Sequence, residues 1–420
     1  MSLAITGATL DGHEVGLRAE GGRIAEVGPD ARPRKGDEVV DAAGRVLLPG
    51  LWNAHTHAAM TLFRGYGDDM PLMEWLQKKI WPVEAELEDD DVYWGTRLAC
   101  AEMIRSGTVG FWDMYWRPGA TARAVADAGL RAVIGAPLID GGGAGSDEKL
   151  ATVRTEAERS LDQLGDAGAL VAPALAPHAI YTVSERSLRW IAERAAKDEL
   201  PVHIHLSETE KEVSDCVAAH GVRPAHYLDR CGLLGPRTLL AHGVWLDEGE
   251  LDLIAERGAT LVTNPVANLK LAVGGVFPYP AVRARGIAVG LGTDGAGSNN
   301  SLDMFEQMKF LALIQKHAAG DPTVAPAGQV WEIATGARSE LVGGSGNVAV
   351  GEPADFLLLS GTAPELTHGD LKAALVYAAS GSVVDTTVVA GRVLMRGGHV
   401  DGLDQVRARA WEHAQRLGIA

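Results

Sequence analysis

His55 and His57 stand two residues apart at the end of an apolar run, residues 46–54. Successive side chains of a β-strand point to opposite faces, so this spacing directs both imidazoles to the same side of a buried strand. Two converging imidazoles are the beginning of a metal site. His-x-His alone is weak support for such a site, because the remaining ligands must come from elsewhere in the chain.

Further side chains that can bind a metal occur where later apolar segments end. His205, His242 and Asp294 each close such a segment, and His178 follows another. With the first pair they form a nitrogen- and oxygen-rich set that suits zinc and other divalent first-row metals. A single histidine at a strand end is more often a core or surface residue. The prediction therefore rests on all of them falling at the same end of successive strands.

One segment, residues 201–205, holds both His203 and His205 on the same strand face. His205 is nearer the C-terminal end, so we predict it as the metal ligand and His203 as a residue deeper in the core or beside the ligands. Glu208 follows directly and is predicted to carry protons to and from a bound substrate. The alternative for Glu208 is an ordinary carboxylate in the first turn of a helix.

The elements that must position these residues alternate between apolar strands and helical patterns. Each strand is a short continuous apolar run, as a parallel sheet covered on both faces requires. Eight β/α units over roughly 290 residues predict a (β/α)8 TIM barrel, in which chemistry lies at the C-terminal ends of the strands. A doubly wound open sheet is the structural alternative. The eight predicted strands are residues 46–57, 110–114, 131–135, 170–175, 201–205, 238–242, 260–264 and 287–294.

Both ends of the chain read as short strands broken by glycine turns. Residues 1–45 contain three such strands, and residues 354–359 and 386–394 add two more before an amphipathic helix at residues 403–417. Neither end alone can bury a core, so we predict that they pair into one small β-sandwich domain. The predicted division is 1–48 for the N-terminal part of the sandwich, 49–345 for the barrel, and 346–420 for the rest of the sandwich with the terminal helix.

The composition narrows the class of protein and its partners. The chain has 420 residues, 46% of them hydrophobic, and a formal net charge of −17. These values favour a soluble protein with a small neutral or cationic substrate and argue against nucleic acid as a partner. Neither a signal peptide nor a transmembrane segment is recognised, so no membrane partner is expected. Three cysteines without CxxC spacing favour the reducing cytoplasm. The oligomeric state is left open, with a homo-oligomer among the options.

With these residues placed, the chain resembles the amidohydrolase superfamily, and within it the family of 5-methylthioadenosine/S-adenosylhomocysteine deaminases. The resemblance covers almost the whole chain. His-x-His is common to the superfamily, whereas the Ile-Trp-Pro-x-Glu and Ser-Asn-Asn segments are much more specific. The matching stretches are residues 49–62 (PGLWNAHTHAAMTL), 79–84 (KIWPVE), 203–210 (HIHLSETE), 264–271 (NPVANLKL) and 292–300 (GTDGAGSNN).

The resemblance implies an amidohydrolase-type barrel that deaminates adenosine, 5′-methylthioadenosine or S-adenosylhomocysteine to the inosine-type product and ammonia. Hydroxide would attack C6 of the purine. Asp294 would take the proton of the attacking water, Glu208 would protonate N1, and His242 would polarise the attacking oxygen. One zinc ion per subunit, or another divalent first-row metal, would be held by His55, His57, His205 and Asp294.

The resemblance also implies the contacts of the nucleoside. Glu84 would accept hydrogen bonds from the ribose hydroxyls, and His178 would contact the nucleoside beside Glu208 and Asp294. The alternatives are a surface helix residue for Glu84 and a capped loop residue for His178. Apolar lining for the 5′ group is expected from aromatic residues at strand ends. These are Trp75, Trp81, Trp112 and Trp116.

The chain departs from the family pattern where the far end of the substrate should lie. Members that take S-adenosylhomocysteine commonly have an arginine after the third strand, whereas residues 133–143 here contain none and end in glycines. An arginine–carboxylate pair is a strong contact, so its absence argues against S-adenosylhomocysteine without excluding it and ranks adenosine and 5′-methylthioadenosine at least equal to it as substrates. Lys149 and Arg154 are the nearby cations that a carboxylate tail would use instead.

Three alternatives to this function are considered. The first is deamination of another amino-heterocycle, such as guanine, 8-oxoguanine, a pterin or a triazine. The second is deamination of aminodeoxyfutalosine, which also contains an adenosine core. The third is a barrel that has lost its metal and serves as a scaffold, which the complete ligand set together with Glu208 disfavours.

Overall fold

Two eight-stranded sheets organise the chain in a computed structural model that describes residues 2–420. The strands are β1 (Ser2–Leu10), β2 (His13–Glu20), β3 (Arg23–Gly28), β4 (Glu38–Asp41), β5 (Val46–Pro49), β6 (Leu51–Thr56), β7 (Thr108–Met114), β8 (Arg131–Leu138), β9 (Val171–Pro177), β10 (Val202–Leu206), β11 (Thr238–His242), β12 (Thr260–Thr263), β13 (Val289–Leu291), β14 (Phe356–Leu359), β15 (Val384–Val389) and β16 (Arg392–Met395).

Helices follow the strands of the second sheet, and the last two accompany the closing strands of the first sheet. They are α1 (Leu72–Trp75), α2 (Trp81–Glu84), α3 (Asp89–Arg105), α4 (Pro118–Ala128), α5 (Asp147–Gly165), α6 (Glu185–Asp198), α7 (Glu210–His220), α8 (Pro224–Arg230), α9 (Glu248–Arg257), α10 (Pro265–Lys270), α11 (Tyr279–Ala284), α12 (Met304–Ala319), α13 (Ala327–Ala334), α14 (Leu371–Tyr377) and α15 (Leu403–Arg416), with a π-helical turn at Leu76–Ile80 and 3₁₀ segments at Ala58–Phe63, Pro364–Leu366 and Gly381–Val383.

Strands β6 to β13 pair in sequence order, each parallel to the next. The two edge strands meet through buried polar groups. Asn53 Nδ2 donates to Thr293 Oγ1 at 2.7 Å, and the Thr293 amide donates to Asn53 Oδ1 at 3.0 Å. The predicted (β/α)8 barrel is confirmed, and the doubly wound alternative is wrong because the strand order never reverses.

The apolar run that opens the barrel is divided between the two sheets. Strand β5 pairs with β1 and β14 in the terminal sheet, whereas β6 begins the barrel. The break falls at Gly50, where a Cβ atom would lie 2.3 Å from Val109 Cγ1. The prediction of one continuous strand at residues 46–57 is therefore wrong: only glycine lets the chain pass so close to β7.

The terminal segments form the other sheet, which is mostly antiparallel and follows the order β16-β15-β14-β5-β1-β2-β3, with β4 paired to β1. This agrees with the predicted sandwich of N- and C-terminal segments, and its own apolar core includes Leu3, Leu17 and Phe356. The single strand predicted at residues 386–394 is wrong. Ala390 (φ 49°) and Gly391 (φ 72°) make a tight turn there, so β15 and β16 form a hairpin.

The predicted closing helix is present as α15, and it anchors the beginning of α3. His413 Nδ1 donates to Asp91 Oδ1 at 2.7 Å, and Arg416 Nε donates to the same oxygen at 3.0 Å. Asp91 is fully buried, so these donors satisfy a carboxylate that water does not reach. Along residues 2–420, every helix is too short or too polar to cross a membrane. The exact domain division stays a prediction.

Replacing Asn53 with alanine should weaken the closure of the barrel. The variant loses both hydrogen bonds to Thr293 and leaves a buried amide without its acceptor. We expect the free energy of unfolding to fall by about 2–4 kcal/mol, measured by urea denaturation. The control is Asn347→Ala at an exposed position, which should change it by less than about 0.5 kcal/mol. Equal stability of Asn53→Ala and the wild type would contradict this account of the closure.

Candidate active site

The side chains predicted to bind a metal meet at the C-terminal end of the barrel. His55 lies near the end of β6 and His57 just beyond it, while His205 and His242 lie at the ends of β10 and β11. Asp294 stands three residues past β13, and its amide donates to His55 O at 3.0 Å. Parallel strands of a barrel place their carboxyl ends on one face, and for this reason residues far apart in the chain converge.

The site contains five potential ligands. One ligand atom from each of four residues lies within 4.8 Å of all the others; the four are His55, His205, His242 and Asp294. His57 lies outside that group but closer to the carboxylate: Asp294 Oδ1 is 3.1 Å from His57 Nε2 and 3.4 Å from His55 Nε2. Ligand atoms around a tetrahedral zinc are about 3.3 Å apart, given bonds of about 2.0–2.1 Å. The spacing of His55, His57 and Asp294 matches that value.

Each imidazole is oriented by a hydrogen bond at Nδ1, which turns Nε2 toward the centre of the cluster. In three cases Nδ1–H donates to an oxygen atom, and this fixes the tautomer whose Nε2 lone pair can bind a metal. The acceptors are Met114 O for His57, His178 O for His205 at 2.7 Å, and Asn268 Oδ1 for His242 at 2.8 Å.

His55 has a different partner. Its Nδ1 lies 2.8 Å from Nε2 of His203, so the histidine of β10 that precedes His205 orients His55 on β6. His55 Nε2 is fully buried and has no hydrogen-bond partner within residues 2–420. A buried polar atom without a partner is costly, and a metal ion at the centre of the cluster would satisfy it. The donor set and this orphaned nitrogen therefore fit zinc.

The protonation of the cluster also fits a metal. Burial lowers the pKa of His55 to about 3 and that of His205 well below its ordinary value, so both are neutral. Burial alone would raise the pKa of Asp294, but the imidazoles of His55 and His57, whose Nε2 atoms lie 3.4 and 3.1 Å from its Oδ1, hold it well below the ordinary value. Burial likewise opposes charge on His57, yet Asp294 raises its pKa to about 9. Metal binding would release that proton.

Glu208 faces the same cavity, two residues beyond β10. Its Oε1 lies 3.9 Å from His242 Nδ1. Burial raises the pKa of the Glu208 carboxyl, an effect opposed by His242 and reinforced by Asp294. A carboxyl group whose pKa is raised toward neutrality can both give and accept a proton, as a general acid–base must.

The cavity in front of the cluster is partly open to solvent, and its empty volume, with that open space included, is about 790 Å³. Glu84 and His178 both line it. Burial raises the pKa of Glu84, with Tyr115 and Trp116 partly offsetting the effect. His178 Nδ1 lies 2.9 Å from Thr182 Oγ1, which orients its ring.

Three of the four tryptophans predicted to line the pocket do so: Trp75, Trp81 and Trp116. The prediction for Trp112 is wrong. Its ring is almost fully buried inside the barrel, where Nε1 donates to Val342 O at 3.0 Å and the ring packs against His203. Residues two apart on a strand share a face, so Trp112 points the same way as Met114, which lines the cavity, but it lies one layer deeper in the barrel.

The lining of the cavity also includes Ile139 and Tyr181, and none of the described lining residues is lysine or arginine. Arg154 is stacked over the ring of Trp190, with 5.5 Å from its guanidinium carbon to the ring centroid. Lys149 is exposed and its ammonium group lies beside Gly141 in the glycine loop. Lys149 is therefore an exposed cation beside the glycine loop, and the described lining of the cavity contains no cationic lysine or arginine.

Sequence reasoning missed several residues that orient the site. Ser298 Oγ donates to Asp294 Oδ2 at 2.6 Å, and Asn268 holds His242. Glu212 accepts hydrogen bonds from the backbone beside Glu208. Ser298 and Asn268 lie in the motif stretches on which the family resemblance rests. These motifs marked the two residues, but the sequence alone did not assign either of them a function.

Comparison with known proteins agrees with this geometry. Residues 46–394 match the model of the amidohydrolase family. A 5′-deoxyadenosine deaminase from Methanoregula boonei is 49% identical over 94% of this chain and 90% of its own length. A 5-methylthioadenosine/S-adenosylhomocysteine deaminase 1 from Archaeoglobus fulgidus is 44% identical over 92% of this chain and 90% of its own length.

A solved structure is similar throughout. An adenosine deaminase from Xanthomonas campestris, with bound zinc, has a TM-score of 0.91 and 36% identity, and the match covers 100% of this chain and 99% of the other. The chain belongs to the amidohydrolase family. The resemblance stated from the motifs is confirmed.

Substitutions of His57 and His242 should separate the metal ligands from the neighbouring histidine. We expect His57→Asn to weaken zinc binding by more than the roughly 10- to 100-fold that follows loss of an outer partner. His242→Asn should keep zinc near one ion per chain. Competition with a chromophoric chelator measures both affinities. Loss of zinc in His242→Asn together with retention of zinc in His57→Asn would show that His242, and not His57, is the metal ligand.

Proposed function

We propose that this chain catalyses the zinc-dependent hydrolytic deamination of an adenine nucleoside, giving the inosine-type product and ammonia. The observation that carries the proposal is the placement of Glu208 in the same cavity as the cluster of His55, His205 and Asp294. A proton donor beside a metal site is what attack of water on an amino-purine requires. The names of the similar deaminases support the same reaction.

The proposed metal ligands are His55, His57, His205 and Asp294. The spacing of Asp294 from the first two histidines and the inward direction of each Nε2 support this choice. When bound, zinc supplies a nucleophilic water at neutral pH, because it lowers the pKa of that water to about 7.

Three side chains of the site would move protons or polarise bonds. Asp294, ionised and held at Oδ2 by Ser298, would take the proton of the attacking water. Glu208, with its raised pKa, would give a proton to N1 of the purine and so draw electron density away from C6. His242, whose Nδ1–H is committed to Asn268, would direct Nε2 at the attacking oxygen and stabilise the tetrahedral intermediate. The proton taken by Asp294 would pass to the departing amine, which leaves as ammonia, and the proton still on the attacking oxygen would restore Glu208.

Two lining residues would hold the nucleoside. Glu84 projects from α2 into the cavity and would accept hydrogen bonds from the ribose hydroxyls. His178, which directly follows β9 and is oriented by Thr182, would also contact the nucleoside. Its carbonyl oxygen already holds His205, so the substrate contact and the metal site share one segment of chain.

The finer proposal concerns the 5′ group. An apolar cavity wall without a lysine or arginine favours a small apolar substituent over the charged homocysteine tail. A 5′-deoxy or 5′-methylthio group would leave no buried polar atom unpaired there, whereas the hydroxyl of adenosine would need a partner.

A comparison of substrates tests the proposed function. With zinc-loaded protein and ammonia detection, we expect kcat/KM to be highest for 5′-deoxyadenosine and 5′-methylthioadenosine. Adenosine should be lower, and S-adenosylhomocysteine at least about tenfold lower again, because its charged tail finds no buried partner. Lys149→Gln should leave the 5′-methylthioadenosine rate unchanged. No turnover of any adenine nucleoside would sink the proposal, and preference for S-adenosylhomocysteine would overturn the 5′ assignment.

A Glu208→Gln variant separates proton transfer from metal binding. Glutamine fills the same space but donates no proton, so we expect kcat to fall by about 10²- to 10⁴-fold while zinc content stays at the wild-type level. The matched control is Glu210→Gln, an exposed carboxylate two residues away, which should keep wild-type turnover. An unchanged kcat in Glu208→Gln would show that another group protonates the ring.

A further inference from the structure

Glu212 is a buried carboxylate close to the site that the proposed reaction does not use. Only 6% of its surface is exposed. Both of its oxygens are committed: the Ser207 amide donates to Oε1 at 2.9 Å, and the Glu208 amide donates to Oε2 at 2.9 Å. The Glu212 side chain therefore binds two consecutive backbone amides, and the second belongs to Glu208, the residue proposed as the general acid.

This arrangement differs from an ordinary helix cap. The sequence Thr209-Glu-Lys-Glu212 has the spacing of a capping box, in which the glutamate would return to the amide of Thr209 itself. Thr209 Oγ1 does accept from the Glu212 amide at 3.2 Å, but the Glu212 carboxylate reaches one and two residues further back. The helix terminus is thus used to fix the loop before it.

The loop that Glu212 holds is strained. Ser207 adopts φ 48°, a left-handed conformation that is uncommon for residues other than glycine. Such a conformation persists only when its surroundings determine it, and they tend to do so at functional sites. Released from Glu212, this peptide would relax toward ordinary backbone and move Glu208 with it.

The other side of the same loop is tied to His242. The Gly243 amide donates to Leu206 O at 2.9 Å, and the amides of Val244 and Trp245 donate to Ser207 O at 3.1 and 2.9 Å. The ends of β10 and β11 therefore form one hydrogen-bonded unit. Glu212 closes this unit from the helix side, which leaves the Glu208 carboxyl 3.9 Å from His242.

We infer that Glu212 is a positioning residue for proton transfer: its carboxylate holds the backbone of Ser207 and Glu208 so that the Glu208 carboxyl meets the substrate ring. This inference rests on the proposed function. The two amide donors require an acceptor oxygen each, and glutamine offers only one acceptor oxygen in place of the two of Glu212.

Amide hydrogen exchange of the zinc-loaded protein tests the backbone contact directly. We expect Glu212→Gln to speed exchange at residues 207 and 208, while the exposed control Glu210→Gln leaves them protected. Glu212→Asp keeps the charge but is one methylene shorter, so it should also speed exchange at one of the two amides, and it serves if the glutamine variant does not fold. Unchanged exchange in both Glu212 variants would overturn the inference.

A double-mutant cycle on turnover tests whether Glu212 acts through Glu208. We expect Glu212→Gln to lower kcat by about 10- to 100-fold with KM and zinc content close to wild type, because a misplaced acid slows the chemical step alone. In the Glu208→Gln background the same substitution should have no further effect. An equal loss in both backgrounds, or a loss of zinc, would instead indicate a general structural role and overturn the inference. If the wild type deaminates no nucleoside, the proposed function fails, and the exchange experiment alone decides whether Glu212 holds the loop.

Discussion

The contact that closes the barrel also assembles its metal-binding cluster. His55 O accepts hydrogen bonds from the amides of Thr293 and Asp294, at 3.1 and 3.0 Å, where the last strand meets the first. The same residues contribute an imidazole and a carboxylate to the cluster. A barrel that failed to close would therefore lose its ligand geometry, and a poorly formed site would leave buried polar groups at the seam. Fold and site depend on one set of hydrogen bonds.

Three residues at the strand ends of the candidate site have a left-handed backbone conformation. Ser207, His242 and Asp294 all have positive φ, at 48°, 74° and 60°. Each such residue costs about 1–3 kcal/mol, so the surrounding hydrogen bonds must hold it. Side chains from neighbouring segments supply them: Glu212 accepts from the Ser207 amide, and Thr56 Oγ1 donates to the backbone carbonyl of Asp294 at 2.9 Å. Neighbouring residues thus hold the backbone from which these side chains project.

The parts of this architecture that follow from periodicity and residue chemistry could be predicted from the sequence. Apolar strands at regular spacing predicted the barrel, and histidines at their ends predicted the cluster. The sequence did not predict contacts that depend on three-dimensional distance. The interruption between strands β5 and β6 at Gly50 reflects the approach of Val109 from another strand. The burial of Trp112 depends on strand register, and the reach of Glu212 past an ordinary capping box depends on the loop conformation. No local pattern encodes these features.

In the proposed reaction, water replaces the amino group of an adenine nucleoside in this cavity. The most direct measurement is turnover of 5′-methylthioadenosine by the zinc-loaded protein in water enriched in heavy oxygen, followed by mass spectrometry of the product and assay of ammonia. We expect one solvent oxygen on C6 of the purine and one ammonia for each nucleoside consumed, with the glycosidic bond intact. A product that retains its amino group, or that carries no solvent oxygen, would contradict it.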